Sequence, residues 1–192
     1  MNIAIDLDEV LAEFLESFCE FHNKKYDTAI APVQFKTYNF EDLLQITKQD
    51  IIKRVYEFHK TPLFADLHPV PGSQMGVNEL CKAHKLHVVT SRQEYDVTVD
   101  ATRKWMDHYF PRKFERIHFM NHYAKKGKEM TKEQVCRDFQ IRLIIEDQLG
   151  YAQKCTEKGI DVLLLDKPWN QCEQLPDGAT RVYSWKEIVE KI

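Results

Sequence analysis

Acidic side chains crowd the point where the first apolar segment of the sequence ends. The segment "NIAI" is followed by Asp6, Asp8 and Glu9, with Leu7 between the two aspartates. Two residues apart at the end of an extended strand, Asp6 and Asp8 point the same way, so two carboxylates can face one substrate in different roles. An ionised carboxylate at the end of a buried strand needs a partner or a metal ion, which makes Asp6 the most informative of the three acids.

Polar residues also follow three later apolar segments that are typical of strands. The segment "KLHVVTSR" ends in Thr90, Ser91 and Arg92, "IRLIIED" ends in Glu146 and Asp147, and "DVLLLD" ends in Asp166, followed by Lys167. In an open parallel sheet, ligands bind beyond the carboxyl ends of the strands. Carboxylates packed together need a cation, and hard oxygen ligands that retain water suit magnesium. We therefore expect Asp6, Asp8 and Asp147 to hold Mg²⁺.

Each of these signals alone has a purely structural alternative. Asp8 could cap a helix, with Glu9 in a first turn where the helix dipole favours an acid. The Glu146–Asp147 pair could cap another helix, and the residues after the second strand could simply begin a loop. A shared site is favoured because these alternatives would have to coincide at the carboxyl ends of three separate strands.

Hydrophobic periodicity predicts the elements that position these groups. Strands are predicted at "NIAI", "KLHVVTSR", "RIHFM", "IRLIIED" and "DVLLLD", with helices between them. The first helix is predicted to begin directly after Asp8, in "EVLAEFLESFCEFHNKKY", and another, "TKQDIIKRVYEFHK", begins with a capping pattern. This alternation predicts an α/β fold, a doubly wound, Rossmann-like parallel sheet with helices on both faces. The segment from Tyr26 to about Phe64 contains no predicted strand and is too long for an ordinary crossover, so we expect a helical insertion there.

Composition limits the classes of function. The chain has 192 residues, 43% apolar and 30% charged, with a net charge of −3, which is typical of one globular domain with an insert. It has no basic cluster of the kind that binds nucleic acid, whereas small anionic substrates remain possible. Five scattered cysteines and eight histidines show neither a disulfide framework nor zinc-ligand spacing. No apolar run approaches the roughly 18 residues of a membrane span, so we expect a soluble, cytoplasmic protein without a membrane partner.

In order and strand context, three of these motifs resemble those of the haloacid dehalogenase superfamily of phosphohydrolases. "DLD" is similar to the first motif of that superfamily, "VVTS" to the second and "IIED" to the fourth. More narrowly, "DLDEVLAEF", "PVPGS", "KEQVC" and "LLLDKPWN" resemble the branch that contains cytosolic 5'(3')-deoxyribonucleotidases. The resemblance implies an α/β core formed by residues 1–15 and 83–192. Residues 16–82 would form a small helical cap that excludes water and selects the leaving group.

The resemblance also implies a two-step phosphoryl transfer through an aspartyl-phosphate. Asp6 would be the nucleophile, and Asp8 would be the general acid in the first step and the general base in the second. Mg²⁺ would be held by Asp6, the backbone carbonyl of Asp8 and Asp147. Thr90 would donate its hydroxyl to the phosphoryl group, and Ser91 and Arg92 would add substrate contacts.

The third motif of the superfamily is a lysine that precedes the acidic strand. The sequence offers four lysines here, Lys125, Lys126, Lys128 and Lys132. Lys132 is the preferred candidate because "KEQVC" opens the helix that leads into the acidic strand, and Lys128 is the second choice. Two residues depart from the superfamily pattern: Glu9 replaces the usual glycine, and Glu146 replaces an aspartate. Whether Glu146 would bind the metal directly or through water is left open.

The resulting hypothesis is a magnesium-dependent phosphatase for small phosphate monoesters, most of all (deoxy)nucleoside monophosphates. Six aromatic residues of the insertion could stack on a nucleobase or simply pack the cap, namely Phe35, Tyr38, Phe40, Tyr56, Phe58 and Phe64. One alternative is a phosphotransferase or phosphomutase that uses the same aspartyl-phosphate. Another is a binding protein that keeps the fold without the activity, although none of the expected catalytic groups is missing.

Overall fold

Six strands form one parallel sheet in the computed structural model, which describes residues 1–120 and 130–192. The strands are β1 (Asn2–Asp6), β2 (Lys85–Thr90), β3 (Arg116–Phe119), β4 (Ile141–Glu146), β5 (Asp161–Leu165) and β6 (Ala179–Val182). Their spatial order is β3-β2-β1-β4-β5-β6, and every neighbouring pair is parallel. The order reverses between β1 and β4, which is where open α/β sheets bind their ligands. The predicted doubly wound parallel sheet is therefore confirmed.

The described residues form nine α-helices and one short 3₁₀ helix at Pro32–Gln34. Five helices lie between β1 and β2: α1 (Phe14–Tyr26), α2 (Phe40–Leu44), α3 (Lys48–Phe58), α4 (Pro62–Ala65) and α5 (Ser73–Leu80). The others are α6 (Asp96–Tyr109), α7 (Lys132–Asp138), α8 (Leu149–Thr156) and α9 (Trp185–Lys191). As predicted, residues 26–64 contain no strand, and the Thr47 side chain caps α3 by accepting from the backbone of Asp50.

The central strands are buried on both faces, which explains why they are continuous apolar runs. Successive strand residues point to opposite faces of a sheet. Accordingly, Ile3 and Ile5 of β1 belong to one apolar cluster, while Ala4 belongs to a second cluster with Val89 and Ile144. Helices α7 and α8 contribute to the second cluster, so both faces of the sheet are covered.

The first helix begins at Phe14, and the prediction that it begins at Glu9 was wrong. Residues 7–12 form a tight turn instead, in which the backbone N–H groups of Leu11 and Ala12 both donate to the carbonyl of Leu7 at 2.9 Å. Val10 and Leu11 are fully buried within this turn. Their apolar side chains therefore have the same spacing in the sequence as the buried side of a helix. Asp8 is therefore neither a helix cap nor at a helix N-terminus.

The strand β6 was not predicted, because "ATRV" is short, lies at the edge of the sheet and buries only Val182. The segment that enters the helical insertion lies beside the segment that leaves it, because Val70 N donates to Leu11 O and Glu13 N donates to His68 O, each at 2.8 Å.

All five cysteines are free, as expected. Within the described ranges, no helix has both the length and the apolar character needed to cross a membrane.

Candidate active site

The carboxyl ends of β1, β2 and β4 bring the predicted site residues together. Ile5 pairs with Val88 of β2 and with Ile145 of β4, so the residues that follow leave the sheet at one level. Asp6 thus lies beside Glu146, where the order of the strands reverses. This register places the acids that follow β1 and β4 at the same edge of the sheet, as expected.

Lys132 links two of these acids. Its Nζ lies 2.9 Å from Oδ2 of Asp6 and 2.7 Å from Oε2 of Glu146, and its side chain is completely buried. The lysine is the first residue of α7, whose start is fixed by a capping box between Thr131 and Gln134. Burial disfavours the ammonium form, but the adjacent carboxylates outweigh it and raise the pKa of Lys132. The lysine is therefore charged in this cluster.

Three carboxylates converge at this point, those of Asp6, Glu146 and Asp147, and each offers an oxygen within 4.8 Å of the others. All three residues are buried. Burial, together with the charge of Glu146, raises the pKa of Asp6 to about 8, and the same causes raise the pKa of Asp147 well above its ordinary value. With all groups ionised, three carboxylates and one ammonium leave a charge of −2, so the donor set fits a divalent cation that prefers oxygen ligands.

The loop after β5 holds Asp147 in place. Trp169 Nε1 donates to Oδ2 of Asp147 at 2.8 Å. The amide of Asn170 donates to the backbone carbonyls of Asp147 and Leu165, both at 2.7 Å, and Asn170 is fully buried. Neither residue was predicted to belong to the site. Both could have been considered, because "PWN" follows the carboxyl end of a predicted strand.

Asp8 makes a different contact from its neighbour Asp6. Its two carboxylate oxygens accept from Arg92, Oδ1 from Nη2 at 2.6 Å and Oδ2 from Nε at 3.1 Å. The Asp8 side chain is thus absent from the cluster of three carboxylates, in which Glu146 takes part instead.

Thr90 and Ser91, the residues of the second motif that precede Arg92, lie next to the contact between Arg92 and Asp8. Thr90 is fully buried, and its hydroxyl accepts from the backbone N–H of Arg92 at 3.2 Å. The Ser91 hydroxyl donates to the phenol oxygen of Tyr151 at 3.0 Å, and the Lys132 Nζ lies 4.5 Å from the centre of the Tyr151 ring. Thr90 and Ser91 therefore border the acids from the β2 side.

Glu9 stands where the superfamily pattern has a glycine, and its side-chain contacts show how the turn accommodates it. Its φ of 64° is a left-handed conformation, which glycine adopts without strain. The side chain offsets that strain, because one carboxylate oxygen accepts from the N–H of Leu15 at 2.6 Å and the other pairs with Lys167 at 3.2 Å. Glu9 thus ties the turn after β1 to the start of α1 and to the loop after β5. Asp166, the other acid after β5, pairs instead with Arg181 at 2.7 Å.

A cavity of about 270 Å³ opens above these groups. Its polar side includes Asp8, Ser91, Arg92, Gln93, Asp147 and Trp169. Its apolar side is formed by the helices between β1 and β2 and includes Phe14, Phe35, Phe40, Ile51, Ile52 and Val55. The cavity therefore offers a charged end and an apolar end, an arrangement that fits a phosphate ester of an organic alcohol.

The six aromatic residues singled out in the insertion divide into two groups. Phe35, Tyr38 and Phe40 line the cavity. Phe58 and Phe64 are buried in an aromatic cluster, with ring centres 5.6 Å apart, while Tyr56 packs edge-on against Tyr95.

The other candidates for the motif lysine lie outside the described residues, namely Lys125, Lys126 and Lys128.

The fold is that of haloacid dehalogenase-like hydrolases, and the match to a family of nucleotidases makes this chain a phosphoric monoester hydrolase. The chain belongs to the family described as "5' nucleotidase, deoxy (Pyrimidine), cytosolic type C protein", whose model matches residues 1–192. A 5'(3')-deoxyribonucleotidase of Bacillus subtilis (strain 168) is 26% identical over 190 residues, covering 99% of this chain and 97% of the relative.

Two solved structures show the same fold. A haloacid dehalogenase-like hydrolase from Streptococcus pneumoniae has a TM-score of 0.70 at 15% identity, with 99% of this chain and 97% of the other covered. The magnesium-bound hydrolase YfnB from Bacillus subtilis has a TM-score of 0.63 at 12% identity, with the same shares covered.

Proposed function

We propose that this protein is a magnesium-dependent 5'-nucleotidase that hydrolyses (deoxy)nucleoside monophosphates through an aspartyl-phosphate. The observation that carries the proposal is the buried cluster of Asp6, Glu146 and Asp147 around Lys132, adjacent to a cavity that Asp8 also lines. The name of the Bacillus relative, a 5'(3')-deoxyribonucleotidase, supports a nucleotide as the substrate. The family description supports a cytosolic location.

In the first step, a carboxylate oxygen of Asp6 attacks the phosphorus atom of the ester. The bond between phosphorus and the ester oxygen breaks, and its electron pair stays on that oxygen. Asp8 donates a proton to the same oxygen, so the alcohol leaves neutral and Asp8 becomes a carboxylate. The products are an acyl phosphate on Asp6 and the free nucleoside.

In the second step, Asp8 takes a proton from a water molecule as the water oxygen attacks the phosphorus atom. The bond between phosphorus and the Asp6 oxygen breaks, and its electron pair restores the carboxylate. Inorganic phosphate leaves, and Asp8 again carries the proton that the next cycle needs. Splitting one displacement into two easier ones is the advantage of a covalent intermediate.

The residues around Asp6 support its role as nucleophile. Oδ1 of Asp6 accepts from the N–H of Leu7 at 2.8 Å while Oδ2 faces Lys132, so the carboxylate is held in one orientation. We propose Asp6, Asp147 and the backbone carbonyl of Asp8 as the magnesium ligands. When bound, Mg²⁺ would neutralise negative charge on the transferring phosphoryl group. Lys132 supplies a fixed positive charge, and we propose that the Thr90 hydroxyl contacts a phosphoryl oxygen.

We propose that the helices between β1 and β2 form the cap, predicted at residues 16–82, which selects the leaving group. The apolar end of the cavity is lined by residues of α1 and α3 and by residues around α2. The ring centres of Phe35 and Phe40 lie 5.0 Å apart there. Aromatic faces can stack on a nucleobase, and a cavity of about 270 Å³ is small enough to favour compact substrates.

The test is phosphate release from a panel of nucleoside monophosphates and sugar phosphates, with magnesium and with chelator. The wild type should release phosphate from the nucleotides only with magnesium, and Asp6→Asn should lower the rate at least about 10³-fold. The matched control is Asp161→Asn, at the exposed first residue of β5, which lies at the opposite edge of the parallel sheet from the carboxyl ends that carry the cluster. Phosphate passing to a sugar acceptor instead of water would replace the hydrolase proposal with a phosphotransferase. No reaction with any substrate would contradict both.

A further inference from the structure

Arg92 fixes the orientation of Asp8 through two parallel contacts. Nη2 and Nε of the guanidinium donate to the two carboxylate oxygens at 2.6 and 3.1 Å. The Arg92 side chain is only 3% exposed, whereas that of Asp8 is 28% exposed on the cavity side. A bidentate contact sets the plane of a carboxylate as well as its position. Asp8 is therefore held from behind while its other face remains open to a substrate.

Arg92 is itself held by groups that do not reach the cavity. Its Nη1 donates to the hydroxyl of Thr102 on α6 at 2.8 Å, and Thr102 donates to the carbonyl of Thr98 at 2.6 Å. The guanidinium carbon lies 4.5 Å from the centre of the Phe64 ring on α4. These contacts fix the guanidinium between α4 and α6, and they leave little freedom for it to turn away from Asp8.

This arrangement differs from the substrate contact expected of Arg92 from the sequence. Arginine binds phosphate most strongly through two parallel N–H groups along one edge of the guanidinium. The edge formed by Nε and Nη2 is occupied by Asp8, and Nη1 is engaged by Thr102. The contacts of this side chain are thus those of a group that supports a catalytic carboxylate.

We propose that Arg92 is a positioning residue for the proton transfer made by Asp8, and that it contributes little to phosphate binding. The inference rests on the proposed function, in which Asp8 protonates the leaving oxygen. Proton transfer requires hydrogen-bond reach between donor and acceptor, so a loosely held Asp8 protonates the leaving oxygen less often. The attack of Asp6 on phosphorus does not depend on this contact.

Two substrates with different leaving groups separate the two roles. The nucleoside alkoxide of thymidine 5'-monophosphate needs a proton as the P–O bond breaks, whereas p-nitrophenolate leaves without one. Because kcat/KM of a two-step hydrolase reports events up to release of the alcohol, the ratio of kcat/KM for the two substrates isolates the protonation. A residue that bound phosphate would change both values alike.

The experiment compares Arg92→Lys and Thr102→Val with the wild type on both substrates, with magnesium present. Lysine keeps a positive charge but cannot make the bidentate contact. We expect Arg92→Lys to lower kcat/KM for thymidine 5'-monophosphate about 30-fold and to lower it for p-nitrophenyl phosphate less than about 3-fold. Inhibition by inorganic phosphate should change less than about 3-fold, because the phosphate contacts remain.

Thr102→Val removes only the hydroxyl behind Arg92, and it keeps the proposal testable if the lysine variant does not fold. It should shift the ratio in the same direction by about 3–10-fold. Equal losses on both substrates, or weaker inhibition by phosphate, would overturn the positioning role and leave the proposed function intact. A wild type that hydrolyses neither substrate would overturn the proposed function and the positioning role with it.

Discussion

The ammonium nitrogen of Lys132 lies 2.9 Å from Oδ2 of Asp6, one of the three carboxylates that converge at the carboxyl edge of the sheet. The same nitrogen lies 2.7 Å from Glu146. The lysine thus balances part of the charge of Asp6, the proposed nucleophile, and the remaining charge of −2 fits a divalent cation. We therefore expect Lys132 to affect both the stability of the fold and the proposed reaction.

Replacing Lys132 with Met should destabilise the protein and remove its activity. The substitution nearly preserves volume, but it leaves buried carboxylates without their cation, which costs about 3–5 kcal/mol. Urea unfolding measures the free energy of unfolding, and phosphate release measures activity. Lys158→Met, at an exposed position after α8, is the control. A Lys132→Met variant with wild-type stability and turnover would contradict the charge balance described here.

Magnesium should stabilise the wild type and should fail to stabilise Asp147→Asn. A ligand present at about 100 times its Kd stabilises the folded state by about 2.7 kcal/mol. For a chain of this length, that corresponds to a rise in Tm of about 5–10 °C. Thermal unfolding with magnesium and with chelator gives the comparison, and Asp161→Asn at the exposed start of β5 is the control. An unchanged response of Asp147→Asn to magnesium would exclude this carboxylate as a ligand.

The size of the cavity should determine which phosphate esters are hydrolysed. Val55→Phe should lower kcat/KM for thymidine 5'-monophosphate at least about 10-fold, because the ring occupies space that we assign to the nucleoside. Hydrolysis of acetyl phosphate, which has no nucleoside, should change less than about 3-fold. Val33→Phe is the matched control, since Val33 is exposed and does not line the cavity. A parallel loss on both substrates would place the effect in folding instead of selectivity.

Acid should destabilise the protein partly through a buried pair of histidines. His87 and His118 stand with ring nitrogens 3.3 Å apart, and burial, aided by the neighbouring His87, lowers the pKa of His118 to about 4. In the unfolded chain, a histidine takes up its proton near pH 6.5. Between pH 6.5 and 4 the unfolded state therefore binds more protons than the folded state, and the free energy of unfolding decreases as the pH is lowered.

His118→Gln should therefore remove about 2–3 kcal/mol of the stability loss between pH 7 and pH 4.5. Urea unfolding at the two pH values measures this difference, and the exposed His108→Gln serves as the control. The same loss of stability with and without His118 would show that this histidine carries no part of the acid sensitivity.

The sheet and the acids at its edge were predictable because their signals are local. Continuous apolar runs identify buried parallel strands, and the residues directly after such strands must lie at one edge. Asp6 and Asp147 were placed together in this way, whereas the third carboxylate of the cluster is Glu146 and not the predicted Asp8 side chain. Lys132 was singled out by the resemblance to the third superfamily motif, and the structure places it at the start of α7 in contact with Asp6 and Glu146.

The contacts that complete the site were not predictable, since they depend on how distant segments meet. Trp169 reaches Asp147 only because the loop after β5 folds across the end of β4. The late start of α1 escaped notice because burial in a tight turn produces the same apolar spacing as a helix. The partner of Asp8 could be any nearby cation until the path of β2 placed Arg92 behind it.

The most direct test of the central claim is to trap phosphate on the protein. The wild type is mixed with ³²P-labelled thymidine 5'-monophosphate and magnesium, quenched in acid within milliseconds, digested and analysed for labelled peptides. We expect a hydroxylamine-sensitive label on the N-terminal peptide that contains Asp6 and none in Asp6→Asn. With ³²P-labelled p-nitrophenyl phosphate, whose leaving group needs no proton, Asp8→Asn should keep the label longer than the wild type because hydrolysis of the intermediate lacks its base. Continued turnover by Asp6→Asn, or a label on another peptide, would contradict the account.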